Sequence, residues 1–177
     1  LITNTISYNI VFNYKLWNKN DPNGVLLKLK ELCEKYGVSF TDSLPLLSDK
    51  PVFTAEWANP DNRSSYLVKF IASQGWEEDI SAADLFEGLR VYYGVPEDLD
   101  YAAARYLVGV RYEMDKASFS ALNDFTFVRN IGIEFVSELG ELTRELPGVL
   151  TECAYTREYK TKYAAHILGR IGKIYSE

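Results

Sequence analysis

The chain has 177 residues, of which 47% are hydrophobic and 25% charged, so it can bury a core of one domain, or one and a half, and has the make-up of an ordinary globular protein. A net charge of −6 excludes a general nucleic-acid binder, because neutralising phosphates takes clustered Lys and Arg. The sequence holds no apolar run of the length that crosses a bilayer and no secretory leader pattern.

In chain order, residues 5–15 are rich in β-branched and aromatic types and predict a strand. Asp21-Pro22 then supplies an N-cap and a proline at the first helical position. Val25, Leu26, Leu29, Leu32 and Cys33 recur at helical spacing as far as Tyr36, and Gly37 ends the helix. Residues 39–58 hold two prolines and little helical period, which predicts a long connection with a short strand at Val52-Phe53-Thr54. Asn59-Pro60 opens a second helix over 60–74, with Tyr66, Leu67, Phe70 and Ile71 on one face.

Ser81-x-x-Asp84 has the form of a capping box and starts a third helix through Tyr93, stopped by Gly94-Val95-Pro96. Asp98 or Asp100 caps a fourth, with a narrow apolar stripe of Ala102, Ala103, Tyr106, Leu107 and Val110. Phe119, Leu122, Phe125, Phe127 and Val128 predict extended structure, and a fifth helix is expected over 130–145, burying Ile133, Phe135, Val136 and Leu139. After the Leu146-Pro147-Gly148-Val149 turn come a strand over 149–159 and a last helix over 163–172. Strands at both ends with helices between them predict an α+β fold: a small mixed sheet, with a helical lobe near 59–115 inserted in the middle.

The chemistry-bearing residues mainly exclude. His166 is the one histidine; Lys162 and Arg170 lie one helical turn to either side and no carboxylate is there to orient the ring, so a structural histidine is favoured over a catalytic one. Cys33 and Cys153 lack any metal or redox spacing, and Cys33 sits on an apolar helix face as a buried free thiol. The acidic run Glu77-Glu78-Asp79 has no calcium-loop pattern, so no metal is expected. No glycine-rich phosphate cradle occurs, so no nucleotide cofactor is implied. Trp17, Trp57 and Trp76 are spread over regions of different structure, which favours core and rim packing over a glycan-binding groove.

A family resemblance is carried by the stretch from Glu145 to Glu177. Its Leu-Pro-Gly-Val turn, extended run, Arg157-x-Tyr159 and the motif Ala164-Ala165-His166-x-Leu168-Gly169-x-x-Gly172 resemble the end of the non-catalytic N-terminal module of class B penicillin-binding proteins. The segment from Ala104 through Arg105-Tyr106-Leu107-x-Gly109-Val110-Arg111-Tyr112-Glu113 to Met114 is similar to a helix of that module. Glu134-Phe135-Val136-Ser137-Glu138-Leu139 resembles the helix before its turn, and Ser43-Leu44-Pro45-Leu46 one of its loops. The likeness covers residues 100–177 well and 1–99 loosely. The sequence departs from the family after Tyr159, where Lys160-Thr161-Lys162-Tyr163 replaces the usual proline and glycine. The family's opening Arg-Gly and Asp-Arg-Asn-Gly motifs are absent, as if Leu1 began just after them.

The resemblance implies that residues 1–177 are a dimerisation or pedestal domain without its transpeptidase domain, extracytoplasmic and anchored to the cell membrane through a segment outside this sequence. The expected partners are the transpeptidase domain of the same parent chain, other cell-wall synthesis proteins and a second copy, with no nucleic acid. Arg157, Tyr159, His166, Gly169 and Gly172 would hold the pedestal's own strands and its junction with the catalytic domain. Catalysis is not expected within the fragment: no Ser-x-x-Lys occurs, and Lys160-Thr161-Lys162 lacks the glycine of Lys-Thr-Gly. The alternative is a module binding cell-wall glycan or peptide through its tyrosine and tryptophan surface.

Overall fold

The structure is a computed structural model and describes residues 2–159. Strand β1 (Ile2–Phe12) opens the chain, followed by α1 (Pro22–Tyr36), two 3₁₀ turns (Ala55–Ala58 and Pro60–Asn62), α2 (Ser65–Ser73), α3 (Ala82–Tyr92) and α4 (Tyr101–Lys116). Strand β2 (Phe125–Ile131), α5 (Ile133–Glu141) and β3 (Val149–Tyr159) complete it. The α+β class, with strands from both ends of the chain and helices between, is as expected.

The sheet is not mixed: its order is β2-β1-β3, and both ladders are antiparallel. β2 and β3 do run parallel to each other, joined through α5, but β1 lies between them and takes the hydrogen bonds of both. This is a split β-α-β arrangement. β1 pairs with β3 along its whole length, from Ile2 opposite Tyr159 to Phe12 opposite Val149.

The helix ends obey local rules. The Asp21 carboxylate accepts from the Gly24 N–H at 2.9 Å, Pro22 is the first helical residue, and Gly37 closes α1 at φ 61°. Ser81 caps α3, its hydroxyl accepting from the Asp84 N–H at 3.1 Å, and Asp100 rather than Asp98 caps α4, accepting from Ala103 N–H at 2.8 Å.

Three of the boundaries that differ from the sequence expectation have a visible cause. β1 stops at Phe12 because Asn13 turns the chain: its amide donates to Asp124 at 3.0 Å and its carbonyl accepts from Leu16 N–H at 3.2 Å. The helix expected over 60–74 is a 3₁₀ turn followed by α2, because Arg63 and Ser64 are extended. There the Arg63 Nε donates to the Trp57 carbonyl at 3.1 Å, and its guanidinium lies 4.9 Å from that indole's centre. The helix expected from 130 begins only at Ile133, because Asn130 adopts φ 58° inside a bulge of β2.

β2 carries two irregularities, one between the Tyr8 and Ile10 positions of its partner and one between Ile10 and Val11. The extra residues break strict alternation, which is how Phe125, Phe127, Val128 and Ile131 are all buried. Leu122, expected in extended structure, sits on the turn before β2 and is 98% exposed.

Helix α4 is the axis of the core. In place of a narrow apolar stripe, it is buried on every side from Ala104 to Val110, while Ala102 is exposed. An aromatic series ties it to the sheet: Trp17 on Phe12 at 4.6 Å, Phe12 on Phe127 at 5.1 Å, Phe127 on Phe40 at 5.5 Å, and Phe40 edge-on to Tyr106 at 5.1 Å. The Tyr106 hydroxyl then donates to the Leu26 carbonyl of α1 at 3.0 Å. Burial thins out along β1, from Ile10 and Phe12, which are fully enclosed, to Ile6, which is 57% exposed. No helix among the described residues is long and apolar enough to cross a membrane.

Candidate functional site: a charged seam beside helix α4

A helix buried on all sides has little room for charge, yet Arg105 and Glu113 are 4% and 7% exposed. With Gly109 between them they lie four and eight residues apart, so all three fall along one side of α4. That side faces the connection 42–46, whose backbone is not paired in a helix or long strand and needs other partners.

Arg105 supplies them. Its Nη1 and Nη2 hold the two Asp42 carboxylate oxygens at 2.9 and 3.2 Å. Nη2 also donates to the Leu44 and Leu46 carbonyls at 2.9 Å each, and Nε to Leu46 at 3.2 Å. A planar guanidinium with donors along its edges suits this work; an ammonium does not. Two turns further on, the Glu113 carboxylate accepts from the Ser43 N–H at 2.6 Å and from the Ser43 hydroxyl, which in turn accepts from Lys116 Nζ at 2.8 Å. Arg105 is thus paired with Asp42, and the Glu113 carboxylate is met by hydrogen bonds from Ser43.

Gly109 makes the seam possible. A Cβ at that position would lie 2.5 Å from Arg105 Nη1 and 2.9 Å from Asp42 Oδ2. Gly109→Ala gains helix propensity of about 1 kcal/mol but forces the ion pair aside, and a net loss of about 2 kcal/mol is expected. In an Arg105→Ala background the same change becomes neutral or stabilising. Urea unfolding of the four-variant cycle reads this reversal, and equal effects in both backgrounds refute it.

Two open clefts flank the seam. One, of about 550 Å³, lies beside Arg105, Tyr106, Phe40 and Cys33; the other, of about 400 Å³, lies beside Ser43, Pro45 and Trp57. Burial pushes the Cys33 thiol up to about 12, which leaves it inert as a nucleophile at neutral pH. Cys33 is buried and free, as its helix face predicts, and Cys153 is free and exposed.

A second buried cation, Arg90 at 8% exposure, staples the turn between α3 and α4. Its Nη1 donates to the Val95 carbonyl at 2.8 Å, its Nε to Glu87 at 2.8 Å, and its Nη2 to Glu87 and, at 3.1 Å, to Glu97. On the surface, Glu138 of α5 accepts from Lys35 Nζ and the Tyr36 hydroxyl of α1, both at 2.6 Å, and these two bonds hold its carboxyl below the ordinary range.

Of the residues singled out from sequence, Arg157 and Tyr159 lie in β3, their backbones opposite Asn4 and Ile2 of β1. His166, Gly169 and Gly172, and the helix expected over 163–172, lie outside the described residues. Trp17 and Trp57 are buried and Trp76 is half-buried. No group of three His, Cys, Asp or Glu side chains among the described residues is placed to hold a metal ion.

The seam itself was within reach of sequence reasoning. Arg105, Gly109 and Glu113 at four-residue intervals on an apolar helix are a charged stripe with a gap in it, and buried charge at that spacing calls for partners. Asp42, 63 positions before Arg105, carried no such signal.

Comparison with known proteins adds the following. The family model described as the penicillin-binding protein dimerisation domain matches residues 1–177. No curated protein matches the chain. Two similar solved structures are penicillin-binding protein 2B of Streptococcus pneumoniae, from strains 5204 and R6. The first is 17% identical with a TM-score of 0.38, covering 98% of this chain and 26% of that one. The second is 19% identical with a TM-score of 0.36, covering 96% and 25%. The chain thus spans about a quarter of the length of those proteins.

Proposed function

Because the chain belongs to the penicillin-binding protein dimerisation-domain family, we propose that it is the non-catalytic pedestal of a membrane-anchored class B peptidoglycan D,D-transpeptidase, acting outside the cytoplasm to position the catalytic domain. The observation that carries this reading is the family match along the whole chain. In this reading residues 1–177 are one module with a helical insertion near 59–115, and the transpeptidase domain lies outside it. Its partners are that domain, other cell-wall synthesis proteins and a second copy of the chain. Arg157, Tyr159, His166, Gly169 and Gly172 serve the junction with the catalytic domain.

The seam beside α4 fits a positioning role. A pedestal has to keep its shape under contact with partners, and buried charges met by hydrogen bonds in one geometry favour that arrangement over near alternatives. The absence of Ser-x-x-Lys from the sequence fits a module that leaves acyl transfer to another part of the protein.

Labelling with a fluorescent penicillin tests the reading. The full-length parent protein is expected to become covalently labelled at a serine outside these 177 residues, and the 177-residue chain is expected to remain unlabelled. A folded parent that takes no label, or label within this chain, overturns it.

A further inference from the structure

A cleft of about 370 Å³ opens where the turn after β1 meets the end of α3 and the second half of α4. Its lining is rich in rings: Tyr14, Trp17 and Tyr93 stand among other aromatic and apolar side chains. Two cations also line it, Lys19 and Arg111, against one carboxylate, Asp115. In a chain of net charge −6 this is a local excess of positive charge.

Both cations face rings of the fold and not carboxylates. Lys19 Nζ lies 4.2 Å from the centre of the Tyr14 ring and makes no ion pair among the described residues. Arg111 Nη1 is buried and has no hydrogen-bond partner, while its guanidinium lies 5.8 Å from the centre of the Tyr93 ring. The contrast with Arg90 and Arg105 is sharp, since all three guanidinium nitrogens of each of those residues meet acceptors. Asp115 does not take the role: it accepts from the Tyr93 hydroxyl at 3.2 Å and forms no ion pair with Arg111. Burial holds the Arg111 guanidinium below its usual range. An unpaired buried donor is costly, and an arriving anion offsets that cost.

The cleft's chemistry also selects among anions. A sugar acid presents many hydroxyl groups and calls for hydrogen-bonding partners all around its ring, whereas most side chains lining the cleft are rings or apolar and the Tyr93 hydroxyl is already engaged. A carboxylate carried beside an apolar group matches better: the charge to Arg111 and Lys19, the apolar part to the rings, and a peptide N–H to Asp115 at the rim. We propose that this cleft binds the C-terminal carboxylate of a short peptide ending in an apolar residue, with Arg111 as the anchoring cation. The mode is carboxylate capture by a cation set among aromatic rings. It does not depend on the pedestal reading, since it rests on the cleft alone.

Calorimetric titration of the 177-residue chain tests it, with N-acetyl-alanyl-leucine as probe and its C-terminal amide as control. The free acid is expected to bind about tenfold tighter than the amide or better. Arg111→Gln is expected to reduce the acid to the level of the amide, and Lys19→Gln to weaken it by less. If Arg111→Gln fails to fold, the acid-against-amide comparison on the unsubstituted chain still decides. Equal binding of acid and amide, or no heat from the acid up to about 10 mM, overturns the proposal. Glucuronate binding as tightly as the dipeptide overturns the assignment to a peptide.

Discussion

An Arg105→Met variant is expected to unfold about 10 °C below the unsubstituted chain, a loss of about 3 kcal/mol or more. Met fills much of the same space, so the loss is electrostatic and hydrogen-bonded in origin, not a cavity. The change leaves the Leu46 carbonyl without its donor, takes from the Leu44 carbonyl one of its two, and strands the Asp42 carboxylate, whose side chain is 27% exposed and therefore only partly rescued by water. Arg105→Lys should fall between the two, since one ammonium cannot reach Asp42 and both carbonyls at once. Replacing both partners, as in Arg105→Met with Asp42→Leu, should recover part of the loss because no lone charge remains. Thermal melts of the four proteins decide: a Met variant within about 2 °C of the unsubstituted chain would remove the seam from any account of stability.

The second large effect is expected at Gly148, in the turn that leads into β3. Its φ of 84° is one that side chains resist, and a Cβ there would lie 2.5 Å from Trp17 Cα and 2.6 Å from Trp17 N. Those are backbone atoms, so no rotamer change relieves the contact. The Gly148 carbonyl also accepts from the Asn13 N–H at 2.8 Å, next to the Phe12–Val149 pair that starts the β1–β3 ladder. Gly148→Ala therefore combines left-handed strain with overpacking, and a loss of about 3 kcal/mol is expected. Gly37 provides the comparison. It has a similar φ of 61°, but the space a Cβ would take is open to 4 Å, so Gly37→Ala should cost only the strain, about 1 kcal/mol. Chemical denaturation that finds the two substitutions equally costly would rule out the close approach to Trp17.

What could be read before the structure was local. Asp21-Pro22, Ser81, Asp100 and Gly37 set helix ends through atoms three or four residues away, and the structure places caps at each. The strand over 149–159 followed from its extended, alternating residues, and its place in one sheet with the chain's opening from the α+β order, while the direct antiparallel pairing of the two is seen only in the structure. What escaped was set by distant partners. Nothing near Asn130 in the sequence announces that β1 will lie opposite and require a bulge. The helix expected over 60–74 lost its first turn to Arg63, whose attraction to Trp57 is a tertiary contact that propensity does not see. The charged seam was half visible: α4's side of it followed a helical period, whereas the 42–46 side is a connection whose only regularity is that it meets Arg105. The family likeness drew attention to both Ser43–Leu46 and the α4 segment, and the structure shows that these two are bonded to each other.

The β1–β3 ribbon also fixes how the molecule would respond to a pull. Ile2 and Tyr159 face each other at its outer end, and the ladder's hydrogen bonds cross between the strands at right angles to them. Tension applied between those two residues acts along the bonds at the open end and loads them in turn, so the ribbon peels like a zip instead of shearing as a unit. The outer part, where Ile6 is exposed, would yield first. Peeling would meet its first firm resistance near Ile10, where the strand enters the aromatic core. The ribbon thus offers a compliant lead ahead of a stiff body, and opening confined to its outer part would lengthen the chain before the helices are loaded.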